Sequence, residues 1–507
     1  MALPAISRVA TILLAAFVPA LAPAAITELA ILSKVPYGDF APGKFVKIEA
    51  EARGVLSPAE RIPGLDKAPR NAGGMVEYRT PVTLIVPENP GAGNHALIVD
   101  VPNRGRPIAH GLYNSPRSRP ILVGSLDQGT GFLQDRGYSL AVVQWELGEG
   151  PTLPAFESGG KKLYAEGVGF AAVRDVAIYL RKDGIERVYG LGYSQTARFL
   201  KSFLVNGFNE AGGKTAFDAL HIVNAAAGGM PLLDAGPGPT SVASETPGHT
   251  NPEHRGVHEE PFTYGDVMKA AGPKYRKLPL VMVNHTYNDY MGGRAALSRT
   301  GAKGTADLPI PDNVRMYDIA GAPHTNSRTK NKDCDDGQGQ IDWSPALRAQ
   351  LVALDLWAQG KGSPPPSKLF ALEARPADPE VFQAPKYLSS AVVMVPKLDR
   401  DHNPASGVML PDIAVPIASH GYMNSPLSVM ACRQAGTYKP FSKEVLEARY
   451  PGGINEYMTK MNVAVNALVE ERLLLPEDAA VIINAAAENA SFTPTRPRAR
   501  GASTQPR

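Results

Sequence analysis

Apolar and β-branched residues gather in short runs between glycine and proline clusters at Lys44–Ala52, Val76–Val86, His95–Val101 and Tyr138–Val143. Runs of this length and make-up between turn formers predict strands. From Lys161 to Lys182 the period changes. Val168, Ala172, Val176 and Tyr179 or Leu180 recur every three to four residues and Gly184 supplies a stop, which predicts an amphipathic helix. A strand-like run, Arg187–Leu191, comes next, then a helical pattern from Gln195 to Phe208. Further strand-like runs follow at Ala219–Ala226, Leu278–Asn284 and Val314–Ala320. Such alternation predicts an α/β fold with a mostly parallel central sheet flanked by helices.

Ser344-Pro345 opens another helix to about Ala358, serine suiting a cap and proline the first helical turn. This ends a core read as residues 26–359. Gly360–Ser367, GKGSPPPS, reads as a proline-rich connector. The segment 368–490 beyond it carries helices at Ile454–Leu474 and Glu477–Glu488, broken at Pro476. Residues 491–507 are polar, rich in proline and arginine, and read as a disordered tail.

The first 25 residues are too apolar to continue this pattern. Arg8 precedes a run from Val9 to Leu21, and Ala22-Pro23-Ala24 ends it, as in a secretory signal peptide cleaved near Ala24 or Ala25. The run is short and interrupted by Pro19, so it does not read as a stable membrane anchor. A periplasmic or secreted location follows. The two cysteines, Cys334 and Cys432, can then close one disulfide, the alternative being two free thiols.

Composition narrows the function classes. With 44% hydrophobic and 20% charged residues the chain is globular, and 49 glycines and 46 prolines among 507 residues exclude a long helical rod. The net charge of +3 lies at the ends, in Arg8 and in Arg496, Arg498, Arg500 and Arg507, so the body offers no basic face for nucleic acid. His249, His254 and His258 stand with Glu253, Glu259 and Glu260 in a glycine- and proline-rich stretch, but their spacing fits no metal motif, and neither metal nor organic cofactor is expected. No sequence feature fixes an oligomeric state.

Gly192-Tyr193-Ser194-Gln195-Thr196 lies between the Arg187–Leu191 strand and the following helix. It approximates a nucleophile elbow, whose small residues two before and two after the serine permit a sharp strand-to-helix reversal. Gly192 fits and Thr196 is bulkier than the pattern. A serine needs a histidine base and a carboxylate to orient it, and on such a sheet the chain order is serine, acid, histidine. Asp289, just past the strand Leu278–Asn284, is the preferred acid, with Asp234 its rival, and His324, in the turn after Val314–Ala320, is the base. Gln195 N–H and a backbone amide of Arg104 or Gly105 are the expected oxyanion donors. Tyr193 and Trp145 are expected to line the substrate pocket, with Glu146 beside them.

The blocks LDKAPRNAGGMVEY (Leu65–Tyr78), PNRG (Pro102–Gly105), FLQDRGYSLAVVQWE (Phe132–Glu146), GYSQTARFL (Gly192–Leu200), NDYMGGRAAL (Asn288–Leu297), IAGAPHT (Ile319–Thr325), IDWSPALRA (Ile341–Ala349) and ERLLLPEDA (Glu471–Ala479) resemble, in order, a bacterial family of α/β-hydrolase domain-containing proteins. The resemblance implies an α/β-hydrolase fold, a C-terminal extension packed on the core, and an ester-hydrolysing site with its nucleophile on Ser194 and its base on His324. Where the family tends to have glutamate before an aromatic residue, this chain has Asp289 before Tyr290. The expected activity is hydrolysis of a small-molecule carboxylic ester. Acyl transfer or amide hydrolysis by the same triad, and a catalytically silent binding protein, are the alternatives.

Overall fold

The computed structural model describes residues 25–116, 124–182, 184–232, 261–325, 332–376 and 392–489. The leader 1–24, Asp234, the histidine-rich stretch around His249, His254 and His258, and the tail lie outside the described residues.

Nine strands form one sheet: β1 (Ala25–Phe40), β2 (Gly43–Leu56), β3 (Val76–Pro87), β4 (Ala96–Asp100), β5 (Ser139–Val143), β6 (Arg187–Tyr193), β7 (Ala219–Val223), β8 (Leu280–Thr286) and β9 (Val314–Ile319). Their spatial order is β1-β2-β3-β5-β4-β6-β7-β8-β9. The first three are antiparallel to their neighbours, and from β5 to β9 every pair is parallel. β4, β5 and β7 are buried along their whole length. This explains why they read as continuous apolar runs: helices cover both faces of a parallel sheet. On one face α1 (Val168–Leu180), α2 (Gln195–Val205) and α3 (Tyr264–Ala271) pack through Phe170, Phe199, Phe203 and Val267. On the other, α4 (Ser344–Ala358), α5 (Gly453–Glu470) and α6 (Pro476–Asn489) contribute Leu347, Leu351, Val465 and Ile482 to a second core. The fold is that of an α/β hydrolase.

Three segments depart from the sequence reading. β1 was not anticipated; it starts at Ala25, pairs among the described residues with β2 alone, and leaves Ile31, Leu32 and Val35 exposed, so its apolar residues do not mark an inner face. Lys161–Tyr164 is the second strand of a small hairpin with Ala155–Ser158 rather than helix, because Gly159 and Gly160 form its turn at φ 60° and 74°. The helix begins only after Gly167, at φ 98°. Finally, the stretch read as a connector lies on the sheet. Pro365 O accepts the Tyr317 hydroxyl at 2.7 Å, Ser367 Oγ accepts Met316 N–H at 3.0 Å, and Lys368 O accepts Asp318 N–H at 2.9 Å, so 365–368 cover the exposed edge of β9.

Candidate active site

The parallel strands end on one rim, and the sequence-predicted residues converge there. Ser194 sits between β6 and α2 at φ 57°, ψ −111°, a conformation that a residue with a side chain adopts only under constraint. The constraints are local. A Cβ on Gly192 would lie 2.3 Å from Thr196 O, so position 192 must be glycine for the turn to close. Ser194 N–H is fixed by Val223 O at 2.9 Å. Thr196, bulkier than the elbow pattern, helps to hold the turn instead. It is fully buried, its Oγ1 accepts Tyr193 N–H at 3.0 Å, and it lies 3.2 Å from Tyr193 O. The N-terminus of α2 meets Ser194, so its first-turn backbone N–H groups and the helix dipole favour developing negative charge there.

Asp289 and His324 meet at the ends of β8 and β9. Asp289 Oδ1 lies 2.6 Å from His324 Nδ1, and both side chains are buried. Thr286 donates its hydroxyl to Asp289 Oδ2 at 2.5 Å and accepts Asp289 N–H at 3.2 Å. Thr286-x-x-Asp289 is thus a cap for the short helix Tyr287–Met291, a pattern visible in the sequence. With Nδ1 committed to the carboxylate, Nε2 is the imidazole nitrogen left for a reacting group. Ser194 and His324 line the same cavity, although no hydrogen bond joins their side chains among the described residues. Catalytic hydrogen bonds in ligand-free sites are often long and tighten on binding. His110, His221 and His420 are driven by burial to about 4, which keeps them neutral, and none lines the cavity.

The expected oxyanion loop follows β4. Asn103 Nδ2 donates to Tyr193 O at 3.0 Å and Gln144 Nε2 to Gly105 O at 3.0 Å, which fix Arg104 and Gly105 at φ 51° and 74°. Arg104 N–H points at the elbow but donates, at 3.2 Å, to the side-chain Oε1 of Gln195, whose Nε2 is held by buried Glu146 at 3.0 Å. Sequence reasoning missed Asp100, which closes this loop from beneath: its Oδ2 accepts the N–H groups of Ile108 and Ala109, each at 2.8 Å. Burial pushes its carboxyl up from 3.8 to about 7, against the pull of those two donors. The folded chain therefore holds this proton more tightly than the unfolded chain. The stabilisation it brings is complete below about pH 4 and lost as pH rises through about 7. Asp100→Asn keeps an acceptor without the charge, so urea titration should find it on the order of 4 kcal/mol more stable than the parent near pH 8.5, the gap closing towards pH 4. A gap that does not change with pH would refute this account.

Tyr193 and Trp145 do not line the cavity, which corrects the expectation that they contact substrate. Tyr193 is buried and stacks on the His324 ring with centroids 5.1 Å apart, and its hydroxyl donates to His324 O at 2.7 Å. Burial raises its phenol well above 10, so it remains a donor. Trp145 packs against Phe170 and Phe199 while its Nε1 donates to Pro102 O at 3.0 Å. Both hold backbone that carries the site. The cavity measures about 300 Å³, and beside Ser194, Asp289 and His324 its walls include Arg104, Arg433, Met423 and Met430. Among the described residues no group of three or more histidines, cysteines or carboxylates is placed to hold a metal.

The C-terminal segment builds one wall. Gln434 O accepts His324 N–H at 3.0 Å, Arg433 O accepts Asn288 Nδ2 at 2.6 Å, and Tyr422 O accepts the same amide. A disulfide between Cys334 and Cys432, with Cα atoms 5.4 Å apart, ties this wall to the loop after His324.

A parallel sheet whose carboxyl ends carry a serine elbow, an acid and a histidine in that chain order defines the α/β-hydrolase class. A family profile described as an alpha/beta hydrolase domain matches residues 151–484, well over half of the chain, and the chain belongs to that family. A search of curated proteins returned no match. Similar solved structures include a glucuronoyl esterase from Solibacter usitatus, with 14% identity, 58% of this chain and 81% of the other covered, and a TM-score of 0.29. Another is acetyl xylan esterase 1 from Thermoanaerobacterium sp., with 10% identity, 57% and 78% covered, and a TM-score of 0.26. At these TM-scores the likeness bears on neither mechanism nor substrate.

Proposed function

We propose that this chain is an exported serine hydrolase that cleaves carboxylic esters. The observation that carries the reading is the strained Ser194 opening into the same cavity as a histidine whose Nδ1 is held 2.6 Å from a buried carboxylate. Ser194 Oγ attacks the ester carbonyl carbon as His324 Nε2 takes the hydroxyl proton, and Asp289 holds the imidazole tautomer and stabilises its cation. The carbonyl oxygen, now an anion, receives the N–H groups of Gln195 and Arg104. It displaces the Gln195 side-chain carbonyl from Arg104 because charge-assisted bonds are the stronger. The C–O bond to the alcohol breaks, His324 delivers its proton to the departing oxygen, and an acyl-serine remains. Water, deprotonated by the same His324, then releases the acid and restores Ser194.

Export rests on the apolar leader of the sequence, and a disulfide is consistent with an oxidising compartment. No helix among the described residues is long and apolar enough to cross a membrane. The reading is tested by labelling with a fluorophosphonate probe. The parent chain should take up one equivalent on Ser194 and hydrolyse activated esters. Failure of the parent to label, or equal labelling of Ser194→Ala, overturns it.

A further inference from the structure

Charge on the cavity wall is one-sided. Arg104, Arg198 and Arg433 line it, and among the described residues Asp289 is its one carboxylate. Both oxygens of that carboxylate are engaged, by His324 and by the Thr286 hydroxyl. Arg198 is buried and bonds Gly229 O, so it belongs to the frame. Arg104 and Arg433 differ, since neither guanidinium forms an ion pair among the described residues. Both stand on fixed backbone. Arg104 occupies the loop pinned by Asn103 to the elbow strand, and Arg433 follows the bridged Cys432 with its carbonyl held by Asn288. Ser194 and His324 line the same cavity, and Ala226, Met230, Met423 and Met430 supply apolar surface.

We propose that the ester cleaved at Ser194 carries a free carboxylate on an apolar body and that Arg104 and Arg433 bind it. This substrate class rests on the serine-hydrolase reading above. Guanidinium groups without an ion-pair partner among the described residues keep their donors for a ligand, and their planar fork matches a carboxylate. Bound so, the anion fixes the ester relative to the nucleophile, and positioning of this kind lowers the barrier as well as KM.

The test uses two matched pairs of substrates on the full mature chain. Para-carboxyphenyl acetate against para-carbamoylphenyl acetate places the charge on the alcohol side, and monomethyl terephthalate against methyl para-carbamoylbenzoate places it on the acyl side. At low ionic strength the charged member of at least one pair should be favoured in kcat/KM by about ten- to a hundredfold, with the preference shrinking as sodium chloride is added. Arg433→Ala and Arg104→Ala should bring that ratio towards one, and Arg433→Glu should invert it. Should those variants fail to fold, the salt dependence of the parent's ratio still decides. Ratios near one in both pairs, from a chain that labels at Ser194 and hydrolyses the neutral esters, overturn the proposal and leave the hydrolase reading intact. A stronger preference for a phosphate-bearing ester overturns the choice of carboxylate. Absence of hydrolysis and of labelling overturns the hydrolase reading itself.

Discussion

Ser194→Ala and His324→Ala are each expected to lower kcat for ester hydrolysis on the order of 10⁵- to 10⁶-fold, and the double variant to be hardly slower than either single one. The two side chains act in one proton transfer, so removing either removes the step. Without the histidine, Ser194 keeps its strained geometry but stays protonated, and a neutral hydroxyl attacks an ester poorly. Without the serine, His324 keeps Asp289 at 2.6 Å and has no alcohol to deprotonate. Asp289→Asn is expected to cost about 10⁴-fold, because the amide can present N–H to Nδ1 and impose the wrong tautomer. Steady-state kinetics on an activated ester, with substrate depletion followed to at least one turnover, measures all four variants. Retention of activity within tenfold by His324→Ala, or losses that multiply in the double variant, would show that these residues do not work as one unit.

Removing the disulfide is the second large effect. Cys334 and Cys432 are 98 residues apart in sequence, and closing a loop of that size restricts the unfolded chain by about 4–5 kcal/mol in the chain-entropy account. Cys334→Ser, Cys432→Ser and the pair together should each lower the stability read by urea titration by about that amount. The double variant should lose no more than the singles, since one bond is broken in every case. Activity should fall further than global unfolding explains, because the bridged Cys432 stands two residues before Gln434, whose carbonyl holds His324 N–H. A stability loss below about 1 kcal/mol would mean that the bridge constrains little. An unchanged kcat in a folded double variant would separate the bridge from the placing of His324.

Much of the sheet was legible because strands covered on both faces must be apolar along their length, and β4, β5, β6 and β7 read so directly. The elbow was legible because only glycine fits at position 192, where any Cβ would come within 2.3 Å of Thr196 O. β1 was not legible, since an edge strand exposed over most of its length carries no buried stripe and follows an apolar leader without a break in composition. The roles of Tyr193, Trp145 and Thr196 escaped the sequence reading for one reason. Adjacency to the nucleophile, as for Tyr193 and Thr196, or to a strand end, as for Trp145, says nothing about which way a side chain turns, and all three turn inward to hold backbone.

The order of the chain by itself narrowed the residues that could meet to Ser194, His324 and either Asp289 or Asp234, because each follows a strand of one parallel sheet and such strands end on the same rim. A long separation along the chain carries no information about a hydrogen bond, so the contacts that support these residues came only from the fold. Asp100 beneath the oxyanion loop, the edge of β9 covered by residues 365–368, and the C-terminal wall that brings Arg433 and Gln434 to His324 were decided by tertiary packing. Periodicity records which face of an element is buried. It does not record what is packed against that face.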